Sequence, residues 1–223
     1  MNSRTKYSIL FVVLASLFTI SLIVSNIIAG KLWAAPFGIT LTCGVFLFPI
    51  VYIIGDILPE CYGLATARKV IWLGFAMNLY AVIFFYLTIR AAYPPFFEGQ
   101  DAFNIVLGFT PRLLVASFIA YLIGTNVNAW VLVQVKKLTN SKWLWMRTIS
   151  STIVGEGLDS LFFITIAFYG ILPNEALLPM IFYQASFKVL YEALATPLTY
   201  LVVGWVKKIE GIEKIVPVMV RRA

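Results

Sequence analysis

The sequence predicts an all-α polytopic membrane protein with six transmembrane helices, and three observations carry that prediction. Apolar residues make up 61% of the 223-residue chain and charged residues only 12%, with a mean hydropathy of +0.92. A soluble domain carries about 25% charge. Uncharged runs cover Tyr7–Gly30, Leu32–Gly55, Val70–Ile89 and Leu113–Val135, each long enough to cross a hydrocarbon core about 30 Å thick. The period-two alternation of a barrel is absent, so helices must satisfy the backbone inside the bilayer.

Six spans follow, over residues 7–30, 44–64, 69–90, 112–135, 147–171 and 180–206, in one integral membrane domain covering 1–223. The first apolar run exceeds a signal-peptide core of about 7–15 residues and no A-x-A site follows it closely, so it reads as a retained helix. Pro36 and Gly38 break the chain after it, and Ile39-Thr40-Leu41-Thr42 alternates like a short strand. Tyr93-Pro94-Pro95 ends the third span. Asp101 is expected to cap a short apolar turn through Phe103, Val106 and Leu107, lying at the interface or re-entering. Thr110-Pro111-Arg112 opens the fourth span with a proline in the first turn, and Arg112 either snorkels to the surface or gates the interior. Three spans before the long loop and three after it suggest two halves of opposite orientation, as in inverted-repeat transporters.

Lysine and arginine set the orientation. Of 17, thirteen fall on one side: Arg4 and Lys6, Arg68 and Lys69, Lys136, Lys137, Lys142 and Arg147, and five in the tail from Lys207 to Arg222. The opposite side has Lys31, Arg90 and Arg112. The positive-inside rule then puts both termini in the cytoplasm. The net charge of +7 is therefore a topology signal, not a nucleic-acid patch. Trp143, Trp145 and Trp205 fit interfacial anchors. Cys43 and Cys61 fall near opposite ends of one span and are expected as free thiols. With no histidine, neither a metal site nor a cofactor is expected.

Asp56, Glu156, Asp159, Lys188 and Glu192 sit where a lipid-spanning helix should have no charge. Such a charge costs roughly 2.5–3.5 kcal/mol on insertion scales and faces a shared interior by default. Asp56 is followed at i+4 by Glu60, and Pro59 cannot donate to the carbonyl of Gly55. A structural carboxylate beside a kink, paired with Arg68, is the competing reading. Gly155-Glu156-Gly157-Leu158-Asp159 puts two carboxylates on one face with Thr152 and Phe163. Their repulsion requires a protonated member, or a cation or donor-rich ligand between them. Lys188 and Glu192 at i, i+4 read either as an intrahelical pair or as part of a site. Pro197 frees the carbonyl of Ala193 beside Glu192. Asn26, Asn126 and Asn128 are amides able to bond between helices. Asn126 is the deeper of the two on the fourth span and the better candidate. Phe46, Phe48 and Phe162 offer stacking surfaces.

The same residues carry a family resemblance. Ser25-Asn26, Phe48-Pro49, Asp56, Tyr62-Gly63 and Ala67-Arg68 stand in the first half of the chain. Pro111-Arg112, Ala116-Ser117-Phe118, Ala120-Tyr121 and Gly124 follow. Ser151-Thr152, Gly155, Asp159, Phe163 and Ile166-Ala167-Phe168 come next, and Phe187-Lys188-Val189 with Pro197-Leu198 complete the set. Together they resemble the vitamin-uptake-transporter family of queuosine precursor transporters across nearly the whole chain. The resemblance implies a six-helix protein of a bacterial or archaeal inner membrane that imports 7-cyano- or 7-aminomethyl-7-deazaguanine by alternating access. Its purine-like substrate would sit among Asn26, Asp56, Asn126, Glu156, Asp159, Lys188 and Glu192. The resemblance supports Asp56, Asp159 and Lys188, while Glu156 and Glu192 stand on the argument from intramembrane charge. A carboxylate can accept N1–H and the 2-amino group of a deazaguanine in parallel. Glu156 or Asp159 is expected in that role, with Asp56 as the alternative, and Lys188 or Asn126 as donor to the exocyclic oxygen.

Two rival classes remain. The family also resembles the substrate-binding subunits of energy-coupling-factor transporters, which need an ATPase partner; this chain has no G-x-x-x-x-G-K-[ST] loop of its own. An intramembrane protease would need a dyad such as Asp56 with Asp159. Its glycine-flanked aspartate motif is missing, so no enzyme and no catalytic residue is expected. The partners expected are the lipid bilayer and a small molecule, with a homo-oligomer left open.

Overall fold

The structure is a computed structural model and describes residues 8–139 and 144–211. Arg4, Lys6, Lys142, Trp143, Lys214, Arg221 and Arg222, used above to set orientation and anchors, lie outside the described residues. The side chains of Lys136, Trp145 and Arg147 are likewise not described.

Among the described residues, seven α-helices and one hairpin make up the fold. They are α1 (Ile9–Ile28), β1 (Leu32–Ala34), β2 (Thr40–Thr42), α2 (Phe48–Tyr62), α3 (Leu64–Arg90), α4 (Gln100–Gly108), α5 (Thr110–Leu138), α6 (Leu144–Phe168) and α7 (Asn174–Ile209). Six of these helices overlie the expected spans in order, with ends that differ by up to six residues. Five of them, all except α2, are long and apolar enough to cross a membrane. Many large apolar side chains point outward, among them Ile9, Trp72, Leu194 and Leu201, as expected of helices solvated by lipid.

The second span is not one helix. A 3-10 turn over Cys43–Phe46 precedes α2, whose 15 residues reach about 22 Å, short of the bilayer core. Pro59 is accommodated inside α2. Gly63, at φ +83°, alone separates α2 from α3, a conformation in which a Cβ would be strained. The alternating segment does form a strand. Its partner, β1, has no sequence signal of its own; the register pairs Leu32 with Thr42 and Ala34 with Thr40. Asp101 lies inside the first turn of α4 and does not cap it; Gly99 holds that position without a side-chain bond.

Two apolar clusters hold the bundle, one at each end. At the end carrying the chain termini, Phe11, Leu14 and Phe18 of α1 pack with Ile57, Leu58 and Cys61 of α2, Val70 of α3, and Val203 and Val206 of α7. A polar clasp joins them. Ser8 Oγ donates to Glu210 Oε1 at 2.6 Å, and Tyr62 Oη donates to the same oxygen at 3.0 Å. At the hairpin end, Ala29 packs with Leu113, Ala116 and Ala120 of α5, Ile164, Ala167 and Phe168 of α6, and Leu177 and Met180 of α7. Arg112 Nε donates to the carbonyl of Ile166 at 2.6 Å and Nη2 to that of Tyr169. Arg112 thus ties α5 to the last carbonyls of α6 and does not line the interior.

Candidate functional site

Between the two clusters lies a cavity of about 420 Å³, within the usual size range of small-molecule sites. Every long helix contributes to it: Asn26 from α1, Phe48, Tyr52 and Asp56 from α2, Asn78 from α3, Tyr121, Gly124 and Asn128 from α5, Glu156 and Asp159 from α6, and Gln184, Lys188 and Glu192 from α7.

The α5–α6 wall depends on two glycines. A Cβ at Gly124 would stand 3.0 Å from both the Asp159 Cβ and the Gly155 carbonyl oxygen. A Cβ at Gly155 would stand 2.7 Å from the Asn128 Cβ. Small residues let the backbones approach, and that approach turns Asp159, Glu156 and Asn128 toward the cavity.

Lys188 is 5% exposed and lies at the centre. Its Nζ donates to Asp159 Oδ2 and stands 3.4 Å from Glu156 Oε2. The Phe48 ring lies 5.2 Å from the same ammonium. Tyr52 Oη donates to Glu156 Oε2 at 3.0 Å, and Tyr52 stacks on Tyr191 at 6.4 Å between centroids. The cation foreseen between the two carboxylates of α6 is therefore the protein's own lysine. The intrahelical pair of Lys188 with Glu192 does not form. Glu192 instead accepts from Thr152 Oγ1 at 3.3 Å. The reason is rotation about α7: Lys188 points across to α6, where two carboxylates attract it more than one on its own helix.

Asp56 lines the cavity but is solvent-exposed at its rim, on the side facing the terminal end. It forms no ion pair with Arg68 among the described residues; Glu60, one turn on, meets Lys207 at 3.4 Å. Asn26 is 7% exposed and faces the cavity from α1. Asn126 does not belong to the site. It is exposed, its amide bonds back to the Leu122 carbonyl at 2.7 Å, and Asn128 takes the place expected of it. Of the aromatic candidates, Phe48 lines the cavity, while Phe46 packs on Trp33 outside it and Phe162 is not part of the lining.

Gln184 is the main residue that sequence reasoning missed. It is 1% exposed, and its Oε1 accepts from Thr42 Oγ1 at 3.1 Å, joining the hairpin to α7. Its signal was the stripe Gln184, Lys188, Glu192 at four-residue spacing. Tyr52 had the same signal, one turn before Asp56. Asn78, 3% exposed on α3, has its Nδ2 3.5 Å from the Leu22 carbonyl.

Comparison with known proteins agrees with this architecture. The family model described as "Putative vitamin uptake transporter" matches residues 42–202. A "Probable queuosine precursor transporter" of Bacillus subtilis (strain 168) is 29% identical over 166 residues, covering 74% of this chain and 72% of the relative. The "Queuosine precursor transporter" of Escherichia coli (strain K12) is 29% identical over 168 residues, covering 75% and 72%. A third relative, from Haemophilus influenzae, is 29% identical over 136 residues, covering 61% and 55%. No solved structure matches the chain. The match extends from the hairpin through the Lys188 centre and most of α7, so the chain belongs to the vitamin uptake transporter family and is a multi-pass membrane transporter.

Proposed function

We propose that this chain imports a queuosine precursor, a 7-deazaguanine base, across the inner membrane by alternating access, with both termini in the cytoplasm. The observation that carries this reading is the lysine-centred carboxylate pair in a mid-bundle cavity whose lining includes the flat side chains Phe48, Tyr52, Phe75 and Tyr121. The names of the relatives supply the substrate class.

Glu156 is the residue we assign to the donor edge of the base. Its Oε2 is engaged by Tyr52 and Lys188, which fixes the carboxylate plane and presents Oε1 to the ligand. With Oε2 engaged, Oε1 is the acceptor left for the N–H donors on that edge of the base. Asp159 holds Lys188 in place, and Lys188 can also donate to the exocyclic oxygen. Asn26, Asp56 and Glu192 complete the lining. The basic-residue bias supports a cytoplasmic position for the terminal end, and with it for the exposed rim at Asp56. The outer end is then the one closed by the hairpin.

Uptake of a labelled 7-deazaguanine in cells unable to synthesise the precursor tests this directly. Uptake should require the chain and be lost in Glu156→Ala and Asp159→Asn. Normal uptake in both variants would refute the site assignment. Proteoliposomes containing only the purified chain should take up the base without ATP. Uptake that appears only with an added ATPase would instead make the chain a binding subunit of a larger transporter.

A further inference from the structure

Gln184 stands one turn from Lys188 on the same face of α7, about 6 Å nearer the hairpin. It is 1% exposed and lines the cavity. Its Oε1 accepts from Thr42 Oγ1 at 3.1 Å, whereas its Nε2 has no hydrogen-bond partner among the described residues. Thr42 is fully buried, and its hydroxyl makes no other hydrogen bond among the described residues. That bond fixes which way the amide faces. With the amide turned over, Nε2 would donate to Thr42 Oγ1, and the hydroxyl proton would be left in a buried place without an acceptor. The N–H donors of Gln184 are therefore the part left over. Buried donors without partners are uncommon, and these border the space a ligand would fill.

Lys188 also keeps a donor in reserve. An ammonium has three N–H bonds; one goes to Asp159 and one faces Glu156. Two free donors one turn apart on α7 thus stand beside the carboxylate of Glu156. A carbonyl oxygen has two lone pairs and can accept from both. We infer that Gln184 is a specificity-determining residue: together with Lys188 it holds a carbonyl oxygen of the ligand, next to the N–H that Glu156 accepts, and Thr42 is its positioning residue. The inference rests on the deazaguanine reading above, in which the exocyclic oxygen adjoins N1–H, and adds the group that selects for that oxygen. A base with an amino group there would set donor against donor. A site built to hydrogen-bond a substrate group rejects the analogue that lacks it, because its own buried polar group is left unpaired.

The test is titration calorimetry on the purified full chain in detergent with 7-deazaguanine and its 6-thio analogue. The analogue keeps N1–H and the 2-amino group but puts sulfur, a weak acceptor, in place of the oxygen. The wild-type protein should bind the oxo base more tightly. In Gln184→Met, which is close in size but has no N–H, the ratio of oxo to thio affinity should fall about fivefold. Thr42→Val should lower the ratio as well, because the amide is no longer held, whereas Thr42→Ser keeps the hydroxyl and should keep the ratio. A bond that only ties the hairpin to α7 would weaken both bases alike, so an unchanged ratio in Gln184→Met overturns the inference. If that variant does not fold, equal ratios in Thr42→Val and Thr42→Ser overturn it instead. Equal binding of the two bases by the wild-type protein overturns it with no variant needed and leaves the deazaguanine reading standing. Binding of neither base would overturn both.

Discussion

The two ends of the bundle are closed differently. At the hairpin end α5, α6 and α7 converge with the end of α1 on one apolar cluster, and the hairpin adds the Thr42–Gln184 hydrogen bond. At the terminal end the cluster, among the described residues, draws on α1, α2, α3 and α7. Toward the hairpin end lie fully buried side chains such as Leu113, Ile164 and Met180, whereas Asp56, which lines the cavity toward the other end, is exposed. α7 belongs to both clusters and carries Pro179 and Pro197. The difference teaches that α7 ties the two ends together, packing with α1–α3 at one and with α5 and α6 at the other. Alternating access, as proposed above, would close the exposed end and part the hairpin end, and the bonds that hold each end are where it can be perturbed.

The largest effect belongs to neither end but to the centre that both share. Lys188→Met leaves Glu156 and Asp159 facing each other in a buried site. Removing one partner of such a cluster costs about 3–5 kcal/mol, so a sharply lower thermal midpoint in detergent and no uptake are expected. The triple variant Lys188→Met/Glu156→Gln/Asp159→Asn should regain stability but not uptake. Next comes the wall that turns the carboxylates inward. Gly155→Val forces a Cβ into Asn128 and should cost about 1–3 kcal/mol. Gly157→Ala, where no atom lies within 4 Å of the added carbon, should be neutral or stabilising by circular dichroism melts.

Smaller effects separate the ends. Thr42→Val strips one bond from the hairpin end and leaves the Gln184 oxygen buried without a partner. A loss of about 1 kcal/mol shifts the equilibrium toward opening there by about fivefold, read as faster alkylation of the buried thiol Cys43. Glu210→Gln, at the terminal end, weakens the clasp to Ser8 and Tyr62 by about 0.5–1 kcal/mol. It should leave Cys43 labelling unchanged. Equal responses of Cys43 to both variants would show that the ends are not independent.

Much of this organisation was legible in the sequence. The six spans, the strand before α2 and the five intramembrane charges follow from hydropathy, alternation and the cost of burying charge. What escaped was rotation about helix axes. Asn126 and Asn128 are two residues apart, hence about 200° apart on the helix, and depth alone favoured the wrong one. Asn128 lies one turn after Gly124, on the face that packs against α6, and the spacing from that glycine is the signal that distinguishes them. Lys188 illustrates the same limit: its i+4 neighbour was visible, whereas the two carboxylates that hold it lie on another helix. The 3-10 turn ahead of α2 was hidden because an apolar run of suitable length does not reveal where its hydrogen bonding changes.

The proposed function has its ligand cavity open to the cytoplasm and closed to the outside. Gly55 lines it on α2, and a side chain there would meet nothing within 4 Å. A Gly55→Cys variant, with Cys43→Ala and Cys61→Ala, can be labelled with a membrane-impermeant maleimide in inverted and in right-side-out vesicles. Rapid labelling in inverted vesicles only, slowed by a 7-deazaguanine, is the predicted result. Labelling from the outside only, or labelling that the base does not slow, would contradict the account.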